Sequence, residues 1–149
     1  MTRSKKRRVG DIVTIPLGGG NFAFGQVLSE PLIAFFDVTA KSELPVEDIL
    51  NSQVAFSLWV MNHAVTNGEW KVIAHADVNA SIDQAPAFFK KDIITGKLSI
   101  THDGGDEMPA TLQEIEGLER AAVWEPSHIV DRLNDHFSGR PNVWAEHLR

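Results

Sequence analysis

The strongest constraint on this chain is the stretch Gly10–Val38, GDIVTIPLGGGNFAFGQVLSEPLIAFFDV, where three apolar runs are cut by two breakers. Asp11–Leu17 and Phe22–Leu28 flank Gly18-Gly19-Gly20-Asn21, and Leu32–Val38 comes after the corner Ser29-Glu30-Pro31. Three glycines in a four-residue break tolerate the positive φ that a tight connection between antiparallel strands requires. Side chains alternate along a strand, so Phe22 and Phe24 share a face, as do Leu32, Ala34, Phe36 and Val38. Ile33 and Phe35 make the other face of the third run nearly as apolar. The stretch predicts the start of a small, strongly bent antiparallel sheet.

Beyond it, Pro45–Leu50 reads as one helical turn, with Pro45 at its start where a missing N–H costs little. Val54–Met61 reads as a buried strand. Asn67-Gly68 signals a hairpin that returns into Trp70–Val78. On that strand Trp70, Val72, Ala74, Ala76 and Val78 share one face, with Lys71, Ile73, His75 and Asp77 on the other. Asn79–Ala87 is a loop; Phe88–Asp92 with Ile93-Ile94, and Lys97–Thr101, read as short strands. His102–Glu107 is an exposed turn by composition. Leu112, Ile115 and Leu118 suit either a short helix or a strand, and Gly117 argues against a long helix. Arg120–Trp124 is the last strand. Ser127 as N-cap, Ile129, Val130, Leu133 and Phe137 at spacings of three and four, and the stops Gly139 and Pro141 predict an amphipathic helix over Ser127–Ser138. Asn142–Leu148 adds a terminal helical turn. The fold class is α+β: a bent, mostly antiparallel sheet, SH3-like or barrel-like in its N-terminal half, with a C-terminal amphipathic helix packed on it.

A chain of 149 residues is long enough for one domain with a real core. The expected organisation is a flexible basic tail over residues 1–8 and a single domain over residues 9–149. Without cysteine there is no disulfide, thiolate metal site or cysteine nucleophile. No apolar run approaches the roughly 20 residues that span a bilayer, and MTRSKKRR leads into no apolar segment of a signal peptide. The expectation is a cytoplasmic protein with no membrane partner.

The net charge of −6 hides an asymmetry. Arg3, Lys5, Lys6, Arg7 and Arg8 put five of fourteen basic residues in the first eight positions, and twenty acidic residues face nine basic ones thereafter. Such a body repels nucleic acid and steers basic partners, or simply keeps the domain soluble. The densest acidic stretch holds Asp103, Asp106, Glu107, Glu114, Glu116 and Glu119, with no Lys or Arg between 102 and 119. These six are the candidate partner-binding residues; the plain alternative is an exposed loop leading into a solvated face.

Motifs for catalysis are missing. The six histidines form no His-Glu-x-x-His pair, and His128 and His136 stand eight apart, too far for one ion. Gly18–Gly20 lacks the Gly-Lys-Ser/Thr ending of a phosphate loop. No serine lies in a Gly-x-Ser-x-Gly elbow, and no pair of acids stands out from the surface ones. No catalytic, cofactor-binding or metal residue is assigned, and no cofactor is expected. A small nucleic-acid-binding β-barrel using the basic tail is the alternative from another class.

Gly10-Asp11-Ile12-Val13, Ile15-Pro16-Leu17, Phe22-Ala23-Phe24-Gly25-Gln26-Val27, Phe35-Phe36-Asp37 and Gly68-Glu69-Trp70 together resemble the immunity protein 26 family of bacterial polymorphic toxin systems. The resemblance covers the first half of the chain and implies a mostly β domain that binds and neutralises a cognate protein toxin. It implies no catalytic residues. The acidic body points to a basic toxin, such as a nuclease.

Overall fold

The computed structural model describes residues 6–42, 44–79, 87–102 and 106–147. Its first sheet begins with the meander β1 (Asp11–Gly18), β2 (Asn21–Val27), β3 (Leu32–Ala40) and β4 (Val54–Val60). Between β3 and β4 lies the helical turn α1 (Val46–Leu50); after β4 come α2 (His63–Thr66) and β5 (Lys71–His75). The second sheet uses β6 (Ala87–Lys91), β7 (Leu98–His102), β8 (Glu107–Pro109) and β9 (Glu119–Arg120). The chain then re-enters the first sheet as β10 (Val123–Trp124) and ends in α3 (Pro126–Phe137) and α4 (Val143–His147). Strand order is β10-β4-β3-β2-β1-β5 in one sheet and β8-β7-β6-β9 in the other. The expected bent, mostly antiparallel sheet with a C-terminal helix is present, and it stays open instead of closing into a barrel.

Gly19 and Gly20 form the tip of the β1–β2 hairpin at φ 63° and 81°. A Cβ at either would meet nothing within 4 Å, so the turn asks for glycine through its backbone alone. Gly10 is different. Its φ is 97°, and a Cβ there would stand 2.6 Å from the Ala76 carbonyl and 2.8 Å from His75 Cε1. This close approach draws the end of β5 onto the start of β1, where the buried Gln26 amide donates to the carbonyls of Gly10 and Ala76. Buried Asp11 accepts from Arg8 Nε at 3.0 Å and lies 2.9 Å from His75 Nδ1.

The last residues of the expected basic tail are docked. Arg7 donates to the carbonyls of Leu28 and Leu32 at 2.6 and 2.5 Å, bracing the β2–β3 corner. Burial lowers its pKa, and Glu30 opposes that shift. Residues 1–5 lie outside the described residues.

β3 explains how the layers stack. Ile33 and Phe35 face a core built with Val13, Ile15, Leu58, Trp70, Trp124 and the helix residues Ile129 and Leu133. On the opposite face Phe36 joins Ile12, Phe24 and Ile49 of α1, while Leu32 and Ala34 meet Leu28 and Phe88 of β6. The run Leu32–Phe36 is therefore apolar on both faces because both faces are covered.

Several local expectations are corrected. Asn67-Gly68 makes no β4–β5 hairpin, since His63–Thr66 forms α2 and β5 pairs with β1 on the far side of the sheet. The Asn-Gly signal specifies a turn, and Gly68 supplies one at φ 79°; which edge the next strand joins is a tertiary matter. A bulge at Ile12/Val13 breaks the alternation expected over Trp70–Val78, so Trp70 and Val72 join one core while Ala74 and Ala76 join the other. The expected strand Arg120–Trp124 is two short strands in different sheets. Residues 112–117 form turns, started by a capping box in which the Thr111 N–H donates to Glu114 Oε1 and the Glu114 N–H to Thr111 Oγ1. The N-cap of α3 is Glu125, whose carboxylate accepts from the Ser127 N–H at 3.1 Å; Pro126 takes the first helical position, where it needs no donor.

Gly10→Ala should lose at least about 2 kcal/mol in urea unfolding, combining left-handed strain with a backbone clash. Gly19→Ala, with open space around it, should lose only about 1 kcal/mol. Equal losses would mean that the approach of Ala76 contributes nothing. The bonds from the Ser127 side chain and N–H hold the Glu125 carboxyl below its usual value. Its stabilisation is thus complete above the ordinary glutamate range and lost as pH falls through the lowered pKa. Glu125→Ala should lower the urea midpoint at pH 7, with the gap to wild type closing in acid.

Candidate partner-binding surface

The second sheet is small, and what it leaves exposed sets it apart. At the tip of the β6–β7 hairpin Asp92 Oδ1 accepts from the N–H groups of Ile94 and Thr95 at 2.8 and 2.9 Å. The Asp92 N–H donates to the Lys97 carbonyl and the Gly96 N–H to the Asp92 carbonyl, each at 2.9 Å. The bonds to its carboxylate hold the Asp92 pKa below its usual value, the Thr95 N–H first among them. The turn is thus built by its own hydrogen bonds. It presents Ile93 and Ile94, 95% and 94% exposed. Turn positions ordinarily take Gly, Asn, Asp or Ser, so two adjacent isoleucines in water run against local preference. From the sequence these two were expected to extend a strand; Asp92 ends the ladder first.

Met108 of β8 and Leu112 are also exposed. A cavity of about 450 Å³ opens between the second sheet and the segment leading to β9, with Phe89, Leu98, Leu112, Leu118 and Trp124 in its wall. The hairpin is anchored from beneath, where Phe88 packs on Trp59 with ring centroids 4.8 Å apart.

Five of the six acidic candidates lie among the described residues. Asp103 lies outside the described residues. Glu107 pairs with Lys90 at 2.6 Å, and Glu114 is used in the capping box. Glu119 receives both arms of the Arg132 guanidinium at 2.8 and 2.7 Å. Asp106 and Glu116 are exposed, with Glu116 on the wall of the cavity. Closeness in sequence suggests one field; Glu107, Glu114 and Glu119 also serve bonds within the fold. The isoleucine tip is legible in the sequence only as two apolar residues before Thr95-Gly96.

Arg132 joins the two sheets to the helix. Its guanidinium lies over Phe56 at 4.1 Å and over Trp124 at 5.3 Å while gripping Glu119 of β9. Among the histidines, His136 Nε2 lies 2.8 Å from Asp37 Oδ1 and His128 stacks on Trp144 with centroids 3.8 Å apart. No helix among the described residues is long and apolar enough to cross a membrane.

A family model described as immunity protein 26 matches residues 8–99, a span that includes the isoleucine tip and ends before the acidic segment. No curated protein and no solved structure matches the chain.

Arg132→Met and Glu119→Gln should each destabilise the fold, by about 2 kcal/mol for the arginine, which is only 12% exposed. In a double-mutant cycle the pair should show coupling of about 1 kcal/mol or more; additive losses would show that the grip on β9 does not matter.

Proposed function

The chain belongs to the immunity protein 26 family, and on that premise we propose that it binds a cognate bacterial toxin and neutralises it by occlusion. The inhibitor carries out no reaction. It forms a stoichiometric complex whose energy is concentrated in a small, desolvated anchor. The family match carries this reading, and the ordered, water-exposed Ile93-Ile94 tip supports a place for the anchor. Burying two isoleucines against a partner recovers roughly 1.5–3 kcal/mol for each. The hairpin is ordered by its own turn bonds, so little entropy is lost on docking.

The toxin we propose is basic, of the nuclease type. Support comes from the twenty acidic against nine basic residues beyond residue 8, a balance that speeds encounter with a cationic partner. Of the acidic segment we place Asp106 and Glu116 at the rim of the interface, since Glu107, Glu114 and Glu119 already serve bonds within the fold.

The test is co-expression with the product of the adjacent reading frame. The wild-type chain should restore growth and co-purify with that product as a stoichiometric complex. Ile93→Asp combined with Ile94→Asp should keep the thermal midpoint within a few degrees and weaken binding about a hundredfold or more. Unchanged affinity would remove the tip from the interface. A wild-type chain that neither binds nor protects would end the reading itself.

A further inference from the structure

A second concave feature forms where the end of β1, the turn before β5 and the first turns of α3 meet. Pro16, Trp70, Pro126 and Val130 form the apolar part of a notch of about 360 Å³, and Glu69 and Asp131 bring carboxylates to it. Resting on the toxin-binding reading above, we propose that this notch receives a basic side chain, arginine or lysine, presented by the toxin.

Construction of the notch begins in the sequence. Gly68 turns the chain at φ 79°, and the Glu69 N–H is fixed by Asn67 Oδ1 at 2.9 Å. Glu69 therefore stays at the surface while the next residue, Trp70, is buried to 1% exposure and meets Phe35 edge-on at 5.7 Å. Asp131 projects from α3 and accepts from Trp144 Nε1 at 3.0 Å, which holds its carboxylate in place. Pro16, exposed near the end of β1, supplies an apolar wall. Ile15-Pro16-Leu17 and Gly68-Glu69-Trp70 are two of the motifs that carry the family resemblance, and both lie within the matched span. The sequence suggests turn and core roles for the second; folding places both on one concave surface.

Charge selects the occupant. Two carboxylates and no Lys or Arg are among the described residues of the lining. An anion would meet repulsion, because the α3 N-terminus, which could otherwise attract one, is already served by Glu125. A purely apolar side chain would strip water from Glu69 and Asp131 with nothing in exchange. Lysine and arginine have the matching form: an aliphatic stem for exposed Pro16 and half-buried Val130, and a cationic head for the carboxylates. The net acidic body would guide such a partner to the surface.

Two measurements decide the matter. Titration of ¹⁵N-labelled wild-type protein with N-acetylarginine amide should shift the resonances of Glu69, Trp70, Val130 and Asp131. Glu69→Gln combined with Asp131→Asn should abolish those shifts, since both amides keep the shape and the Asp131→Asn carbonyl can still accept from Trp144. The same variant should bind the adjacent-frame toxin about tenfold more weakly and with a shallower salt dependence, its thermal midpoint unchanged. Shifts that are absent or scattered, or variant affinity within twofold of wild type, overturn the proposal. If wild-type protein still binds and protects in that event, only the notch is lost. If wild-type protein binds no toxin, the reading of the function falls with it.

Discussion

Strand β3 sets the terms for the rest of the molecule. Five consecutive residues, Leu32 to Phe36, are each no more than 2% exposed, and alternation sends them to opposite faces of the sheet. An antiparallel meander ordinarily leaves one face to water. Here neither face can be left bare, so covering elements must come from elsewhere in the chain. α3 and Trp70 cover Ile33 and Phe35; α1 and β6 cover Phe36, Ala34 and Leu32. The second sheet exists in its position because Phe88 has to meet Ala34 and Trp59.

That demand explains why short, weak elements persist. β9 and β10 have two residues each, far too few to stand alone, and they carry the chain from one sheet to the other. The Ala121 N–H donates to the Phe89 carbonyl at 2.8 Å and the Met61 N–H to the Trp124 carbonyl at 3.0 Å, tying each sheet to the crossing. Arg132 adds a contact of a different kind, with its guanidinium against two aromatic rings and its charge on Glu119. Through these ties the surface that carries the isoleucine tip is held to the family-defining sheet.

Legibility tracks the range of the interactions involved. The hairpin at Gly19-Gly20 and the stripe of α3 depend on neighbours within a few residues, and both are readable. Glu125 as the cap is not, because Ser127 is the better local candidate until Pro126 claims the first helical position. The β4–β5 connection misleads because Asn-Gly encodes a turn and leaves open which strand edge the chain joins next. The acidic candidates group by proximity along the chain, yet Lys90 and Arg132, the partners that consume Glu107 and Glu119, lie 17 and 13 residues away.

By itself the amino-acid order determined the bent meander, the amphipathic helix and the family, since these rest on alternation, turn chemistry and ordered local motifs. It also determined a strongly acidic body, which is a matter of composition. Only the tertiary structure decided which strand edge accepts β5, which carboxylates remain at the surface and where apolar groups stay in water. Those outcomes depend on contacts between residues distant in sequence, and no local pattern encodes them. Glu69 shows the difference: in the chain it is the middle of a turn motif, and in the fold it stands across a notch from Asp131, 62 residues later.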